Sequence, residues 1–144
     1  MKQNNSKFLA RCRGVVVGVS VIFMALSAHA QGAINKVSAS VQAGSETLRI
    51  DFDQPLAIAP TGFATQSPAR IALDIQGVVN ASGKSAYEVN LGNLKSVNIV
   101  QGGDRSRIVL NLKSPSTYKT ELQGAALYLT LESGLSTSAT VSNS

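Results

Sequence analysis

The sequence has no cysteine, histidine, methionine or tryptophan after its first thirty residues. The lone cysteine, the lone histidine and both methionines are Cys12, His29, Met1 and Met24. Residues 31–144 therefore contain no disulfide, no Ser-His-Asp or Cys-His arrangement and no tetrahedral zinc set. They also lack a phosphate-binding glycine loop. We expect a domain without cofactor or metal, held together by the core that about 100 residues can bury.

The first thirty residues have the order of a secretory signal peptide. Four basic residues precede the uncharged apolar run Gly14–Leu26, which is followed by Ala28 and Ala30 at small-x-small spacing. The 13-residue run is shorter than the roughly 20 residues that span a bilayer. Cys12 precedes the run, so it is not placed for lipid attachment. We predict a signal-peptide helix, cleavage after Ala30, export, and no stable membrane span afterwards.

Most of the net positive charge of the chain lies in this leader. The whole sequence has 13 Lys and Arg residues against 8 Asp and Glu residues, a net charge of +5. Four of the basic residues lie before Gly14, so residues 31–144 are close to neutral. A nucleic-acid-binding domain usually carries a pronounced basic patch, and we expect no nucleic-acid partner.

Alternation of apolar and polar residues with a period of two predicts half-buried strands. It is strongest in Thr47–Asp53, Arg70–Gln76, Ser106–Lys113 and Ala125–Glu132. In the second of these, Ile71, Leu73 and Ile75 are predicted to face in, and Arg70, Ala72 and Asp74 to face out. Weaker strands are expected at Ile34–Val41, Phe63–Gln66, Tyr87–Leu91, Ser96–Gln101 and Thr117–Leu122. No segment has a convincing helical repeat.

Glycine and proline mark the connections between these strands. Gly102-Gly103-Asp104 and Gln123-Gly124 predict tight hairpins, because glycine readily adopts the positive φ of such turns. Proline cannot donate to a ladder, so Pro55–Gly62 is expected to be a connection or an edge. Asn80–Ser85 is expected to be a polar loop.

The apolar pattern also repeats along the chain. A shift of 60 residues aligns Leu48, Ile50 and Phe52 with Ile108, Leu110 and Leu112, and Pro55 with Pro115. A shift of 56 aligns Ile71, Leu73 and Ile75 with Leu127, Leu129 and Leu131. Two similar halves that pack face to face would bury these residues. We predict an all-β fold, a two-sheet β-sandwich with approximate internal twofold symmetry.

The predicted organisation has three parts. Residues 1–30 are the signal peptide and residues 31–133 the sandwich. Residues 134–144 are rich in serine and threonine and lack charge, which is typical of a flexible linker or a truncated tail.

Polar residues on the predicted outward faces are the candidates for function. Asp51 and Asp53 share a face, as a glycosidase carboxylate pair would, but nothing on an exposed strand desolvates them to raise a pKa. No other catalytic arrangement is present, so we predict that the protein is not an enzyme. Arginine can grip a carboxylate in a fork, and the candidate binding residues are Arg70, Asp74, Arg105, Arg107 and Asn111. The alternative is that these residues only keep a solvent-facing sheet soluble.

Two stretches carry a resemblance to a known family. Residues 67–78, SPARIALDIQGV, resemble the Pro-x-Arg-[Ile/Val]-x-[Leu/Ile]-Asp-[Leu/Phe/Ile]-x-Gly motif of AMIN domains. Residues 94–112, followed by Tyr118, Gly124 and the alternating leucines of 127–131, are similar to the second half of that domain. The sequence of these stretches resembles that of the AMIN domains at the start of type IV pilus secretins. Where the family often has aspartate, this chain has Asn111.

The resemblance implies a periplasmic, cell-envelope module that binds peptidoglycan, associated with the outer membrane when it is part of a full secretin. It implies that Arg70, Asp74 and Arg107 fall on the family motifs. Two alternatives stay open. One is a docking module for other secretin subunits or for inner-membrane pilus assembly proteins, with edge-strand pairing as its natural mode. The other is the targeting domain of a cell-wall amidase.

Overall fold

The computed structural model describes residues 31–132, and these form ten β-strands. The strands are β1 (Gly32–Gln42), β2 (Ser45–Phe52), β3 (Thr61–Gln66), β4 (Ala69–Gln76), β5 (Val78–Asn80), β6 (Ala86–Leu91), β7 (Leu94–Gly102), β8 (Arg105–Leu112), β9 (Thr117–Gln123) and β10 (Ala126–Glu132). Within this range no helix is long and apolar enough to cross a membrane. The predicted signal-peptide helix and tail lie outside the described residues.

The strands form two five-stranded sheets that enclose one apolar core. Sheet A has the order β5-β1-β2-β10-β9, and sheet B has the order β3-β4-β8-β7-β6. The four strongly alternating segments are the inner strands β2, β10, β4 and β8, and their apolar residues are buried as predicted. Leu48, Ile50, Leu110 and Leu127 are at most 1% exposed. The all-β sandwich is confirmed.

The internal symmetry is present, but it divides the chain differently from the predicted face-to-face halves. The equivalent strands are β1 and β7, β2 and β8, β3 and β9, and β4 and β10. Each half therefore contributes one hairpin to sheet A and one to sheet B. The reason lies in the equivalent connections 53–60 and 113–116. Each begins near a proline, Pro55 or Pro115, which ends the ladder and lets the chain cross to the opposite sheet.

The hairpins have the predicted turns. Gly103 and Asp104 connect β7 to β8, and Gly124 and Ala125 connect β9 to β10. Gly103 has a φ of 63° and Gly124 a φ of 58°, a region that side chains disfavour. The expected polar loop at Asn80–Ser85 begins one residue later, because Val78–Asn80 pairs in parallel with β1 as β5.

Tyr118 closes the side of the sandwich where edge strand β9 of sheet A lies over edge strand β3 of sheet B, and it lies next to Gly62. Tyr118 on β9 packs against the core, and a Cβ on Gly62 of β3 would lie 2.5 Å from the Tyr118 hydroxyl and 2.5 Å from Leu73. Glycine at position 62 thus leaves space for the tyrosine that spans the two sheet edges.

Candidate functional site

All five predicted binding residues lie on the outer face of sheet B, on the neighbouring strands β4 and β8. Arg70 is opposite Asn111, and Asp74 is opposite Arg107. Arg105 lies at the start of β8, opposite the last residue of β4. The antiparallel register thus brings together residues that are more than thirty positions apart in the chain.

Asp74 and Arg107 form a bidentate ion pair. The Arg107 Nε donates to Asp74 Oδ1 at 2.7 Å and Nη2 donates to Oδ2 at 2.8 Å. These hydrogen bonds hold the pKa of Asp74 below its ordinary value, and the charge of Arg105 lowers the pKa further. The same pair raises the pKa of Arg107. The two side chains fix each other's position, as a guanidinium fork and a carboxylate do.

Arg70 and Arg105 are different from Arg107. Within residues 31–132 neither guanidinium makes a hydrogen bond or an ion pair, and both residues are exposed. Asn111 is partly engaged, since its amide donates to the Ser96 hydroxyl at 3.0 Å. The face therefore has two available guanidinium groups on either side of a fixed ion pair.

Three shallow depressions of about 200, 280 and 330 Å³ cross this face. Arg107 borders the first and second, and Arg70 borders the second and third. The shared arginines make the depressions one continuous surface. Its further lining residues are Val100 in the first depression, Phe63, Ala72 and Val109 in the second, and Glu88, Lys95 and Ser96 in the third.

The centre of the face is apolar, which the alternation of residues along single strands does not predict. Phe63, Ala72 and Val109 are adjacent across β3, β4 and β8. Phe63 is 52% exposed, whereas Ala72 is 7% exposed. Ala72 lies on the outer face, as predicted, but its larger neighbours cover it. Only the pairing register, which period-two alternation does not contain, brings these residues together.

On the outer face of sheet A, charged side chains pair with each other. Arg49 donates to Asp51 at 2.7 Å and lies 5.5 Å from the centre of the Tyr128 ring. Lys119 pairs with Glu132 at 2.6 Å. These contacts leave fewer free charged groups than on sheet B.

The two carboxylates considered as a glycosidase pair have separate partners. Asp51 accepts from Arg49, and Asp53 accepts from the Ala33 backbone N–H at 2.7 Å. Among residues 31–132 no cluster of three or more potential metal ligands occurs. The open face of sheet B can hold a flat ligand that carries carboxylates beside small apolar groups.

The two packed sheets around one core define a small β-sandwich domain. The model of the AMIN domain family matches residues 38–131, which is nearly the whole sandwich. The chain belongs to the AMIN domain family.

Three relatives carry pilus-related descriptions. The chain is 43% identical over 82 residues to the fimbrial assembly protein PilQ of Pseudomonas aeruginosa, an alignment that covers 57% of this chain and 11% of that protein. It is 30% identical over 116 residues to the type IV pilus biogenesis and competence protein PilQ of Neisseria gonorrhoeae, covering 80% of this chain and 16% of the relative. The chain is also 30% identical over 116 residues to the type IV pilus biogenesis and competence protein PilQ of Neisseria meningitidis serogroup A. That alignment covers 80% of this chain and 15% of the relative. The chain thus spans less than a fifth of these relatives.

Proposed function

We propose that the chain is a non-catalytic, periplasmic module of the type IV pilus assembly machinery that binds peptidoglycan through the outer face of sheet B. The observation that carries the proposal is the pair of unengaged guanidinium groups, Arg70 and Arg105, beside an exposed apolar centre. The candidate residues remain those predicted, with Phe63 and Val109 added.

The pilus context is supported by the relatives. All three are described as proteins of fimbrial assembly or type IV pilus biogenesis, and the matched region is the AMIN domain. This favours a pilus protein over the targeting domain of a cell-wall amidase. In a full-length secretin such a module would sit in the periplasm, next to the outer membrane.

The ligand chemistry is supported by the composition of the face. Stem peptides of peptidoglycan present carboxylates next to alanine methyl groups, and the glycan presents amides and hydroxyls. Arg70 and Arg105 can each grip a carboxylate, while Phe63, Ala72 and Val109 offer a surface for the methyl groups. The Asp74–Arg107 pair lies between the two open arginines, whose spacing the β4–β8 register sets.

The absence of a catalytic role is supported by the state of the carboxylates. Asp74 and Asp51 are each held by an arginine, and the pKa of Asp74 is lowered. A general acid would need a raised pKa instead. Binding by a shallow, solvent-exposed face is weak per copy, so several copies in one assembly would supply the retention.

Co-sedimentation of residues 31–144 with purified sacculi tests the proposal. We expect the wild type to pellet with the sacculi, and the double variant Arg70→Ala/Arg105→Ala to lose roughly tenfold in affinity, as the loss of charge-assisted hydrogen bonds predicts. Arg49→Ala, on the outer face of sheet A, is the matched control and should bind as the wild type does. The proposal fails if the wild type stays in the supernatant, or if both variants lose binding equally.

A further inference from the structure

The sandwich has four edge strands, and β1 is also open beyond Ile34, because β5 pairs only with Gly32–Ile34. That part of β1 has one charged residue, Lys36, and so offers no complementary charge pair to a second copy. Three of the four edge strands are poor templates for another strand. β5 has only three residues. β6 has a register irregularity against β7, with Asn90 at a φ of 48°. β3 has six residues between Pro60 and Pro68. β9 is different, since its seven residues pair with β10 without interruption and contain no proline. An edge without proline or a bulge can accept another strand when the charges that it carries, here Lys119 and Glu121, meet opposite charges on that strand.

The turn after β9 determines which backbone groups face outward. Gln123 and Ala126 are opposite each other across the two-residue turn, and Gly124 occupies its first central position with a φ of 58°. In such a hairpin the residues flanking the turn exchange hydrogen bonds. Because hydrogen-bonded positions alternate along an antiparallel pair, the N–H and C=O groups of Tyr118, Thr120 and Leu122 point to the open edge.

The β9 side chains are complementary to those of a second β9 in antiparallel orientation. We propose that two copies of this chain pair through β9, about a twofold axis at Thr120, to join their A sheets into one. This interaction surface goes beyond the proposed binding of peptidoglycan. The register places Thr120 opposite Thr120 of the second copy, Lys119 opposite Glu121, Tyr118 opposite Leu122, and Thr117 opposite Gln123.

The exposure of β9 is consistent with this pairing. Leu122 is 42% exposed, and the second copy's Tyr118 would cover it. Lys119 pairs with Glu132, yet its side chain is 79% exposed, so it can also contact a carboxylate from outside. In the pair, each Lys119 lies between its own Glu132 and the second copy's Glu121. Opposite charges across strands favour this register over one that is shifted by two residues.

The pairing is closed and has the properties of a transient interface. A twofold, isologous contact uses up both edges, so assembly stops at two copies. About six backbone hydrogen bonds form between the outward groups of the two strands. The contact of one strand with another is smaller than a stable interface, which buries roughly 1,200–2,000 Å². The outer face of sheet B stays free on both copies.

Disulfide trapping tests the register. In the full chain with Cys12→Ser, which then has no other cysteine, Thr120→Cys places two thiols on the twofold axis, with Cα atoms about 5.5 Å apart. Thr117→Cys is the matched control on the same strand, and its two copies would lie about 20 Å apart. We expect Thr120→Cys to give at least about tenfold more disulfide-linked dimer under mild oxidation. Equal cross-linking of the two variants, or none, would overturn the pairing.

Charge reversal tests the same register without cysteine. Glu121→Lys places like charges opposite each other and should lower the dimer fraction in sedimentation equilibrium. Adding Lys119→Glu together with Glu132→Lys restores opposite charges both between the copies and within each copy, where Lys119 pairs with Glu132, and should recover the dimer. Unchanged thermal unfolding midpoints exclude misfolding as the cause. A monomer at all concentrations for the wild type, or a triple variant that dimerises no better than Glu121→Lys, contradicts the proposal.

Discussion

The β2–β10 pair of sheet A and the β8–β4 pair of sheet B are equivalent, so each residue of one pair has a counterpart in the other. On the outer faces these counterparts are different residues. Thr47 faces Thr130 in sheet A where Arg107 faces Asp74 in sheet B. Arg49 faces Tyr128 where Val109 faces Ala72, and Asp51 faces Ala126 where Asn111 faces Arg70. At most inner positions both sheets have leucine or isoleucine, such as Leu48 and Ile108.

The difference separates the residues that make the fold from those available for recognition. Inner positions are constrained because both sheets fill one close-packed core. Outer positions are not constrained in this way. Sheet A has a hydroxyl pair there, Thr47 with Thr130 at 3.3 Å, where sheet B has an ion pair. On sheet A the arginine is engaged by its neighbours. On sheet B two arginines are unpaired among the described residues, which is why we propose the outer face of that sheet as the binding surface.

The largest effect on stability should come from substitutions in the shared core. There the comparison predicts equal losses for equivalent residues of the two sheets. Leu73 and Leu129 are equivalent leucines, 1% and 0% exposed. Replacing either with alanine should lower the free energy of unfolding by about 2–5 kcal/mol, as measured by urea denaturation. We expect the two costs to agree within about 1 kcal/mol, because both side chains end in the same core. A much smaller cost on one sheet would mean that the sheets do not share the core equally.

A smaller effect is expected where the edges of the two sheets meet. Gly62→Ala brings a methyl group against Leu73 and the Tyr118 hydroxyl, with the Ala72 carbonyl oxygen at 3.0 Å. We expect a loss of about 1–3 kcal/mol from overpacking, measured in the same denaturant series. Gly102→Ala is the control, since a Cβ there meets nothing within 4 Å. Equal stability of the two variants would show that Tyr118 does not close this side of the sandwich.

The smallest effect concerns the outer pairs and depends on pH. The pKa of Asp74 is lower in the folded protein than its ordinary value of 3.8. Its contribution to stability is therefore complete above that value and is lost as the pH falls through the lowered pKa. Asp74→Thr/Arg107→Thr transfers the pair of sheet A to sheet B and should remove this part of the pH dependence, with little change at pH 7. Thermal unfolding of the wild type and the variant between pH 2 and pH 7 measures it, and parallel curves would contradict the assignment.

Most of the fold could be predicted because its signals are local. Alternation identified the inner strands, and the glycines at 103 and 124 identified two hairpins. β5 was missed because its three residues are a strand only through parallel pairing with β1, which is distant in sequence. The distribution of each half over both sheets was missed for a similar reason. A repeat shows which strands are alike, but not which strands they pair with.

The candidate site was predictable in outline. Alternation placed Arg70, Asp74 and Arg107 on outward faces, but it could not distinguish the engaged arginine from the open one. That distinction depends on the β4–β8 register, which sets Arg107 and not Arg70 opposite Asp74. The apolar centre required three strands to be aligned at once. The peptidoglycan-binding role of these residues stays a prediction.

The crossing of each half between the sheets has a consequence for how the chain reaches its folded state. The innermost ladders, β2 with β10 and β4 with β8, each join strands from opposite halves. The first half alone would hold two separated hairpins, each with an apolar side exposed to water. Such long-range pairing is slow to form because distant segments must meet first. β10 is the last of the described strands in the chain, so the sandwich can close only after nearly all of residues 31–132 are free to pair.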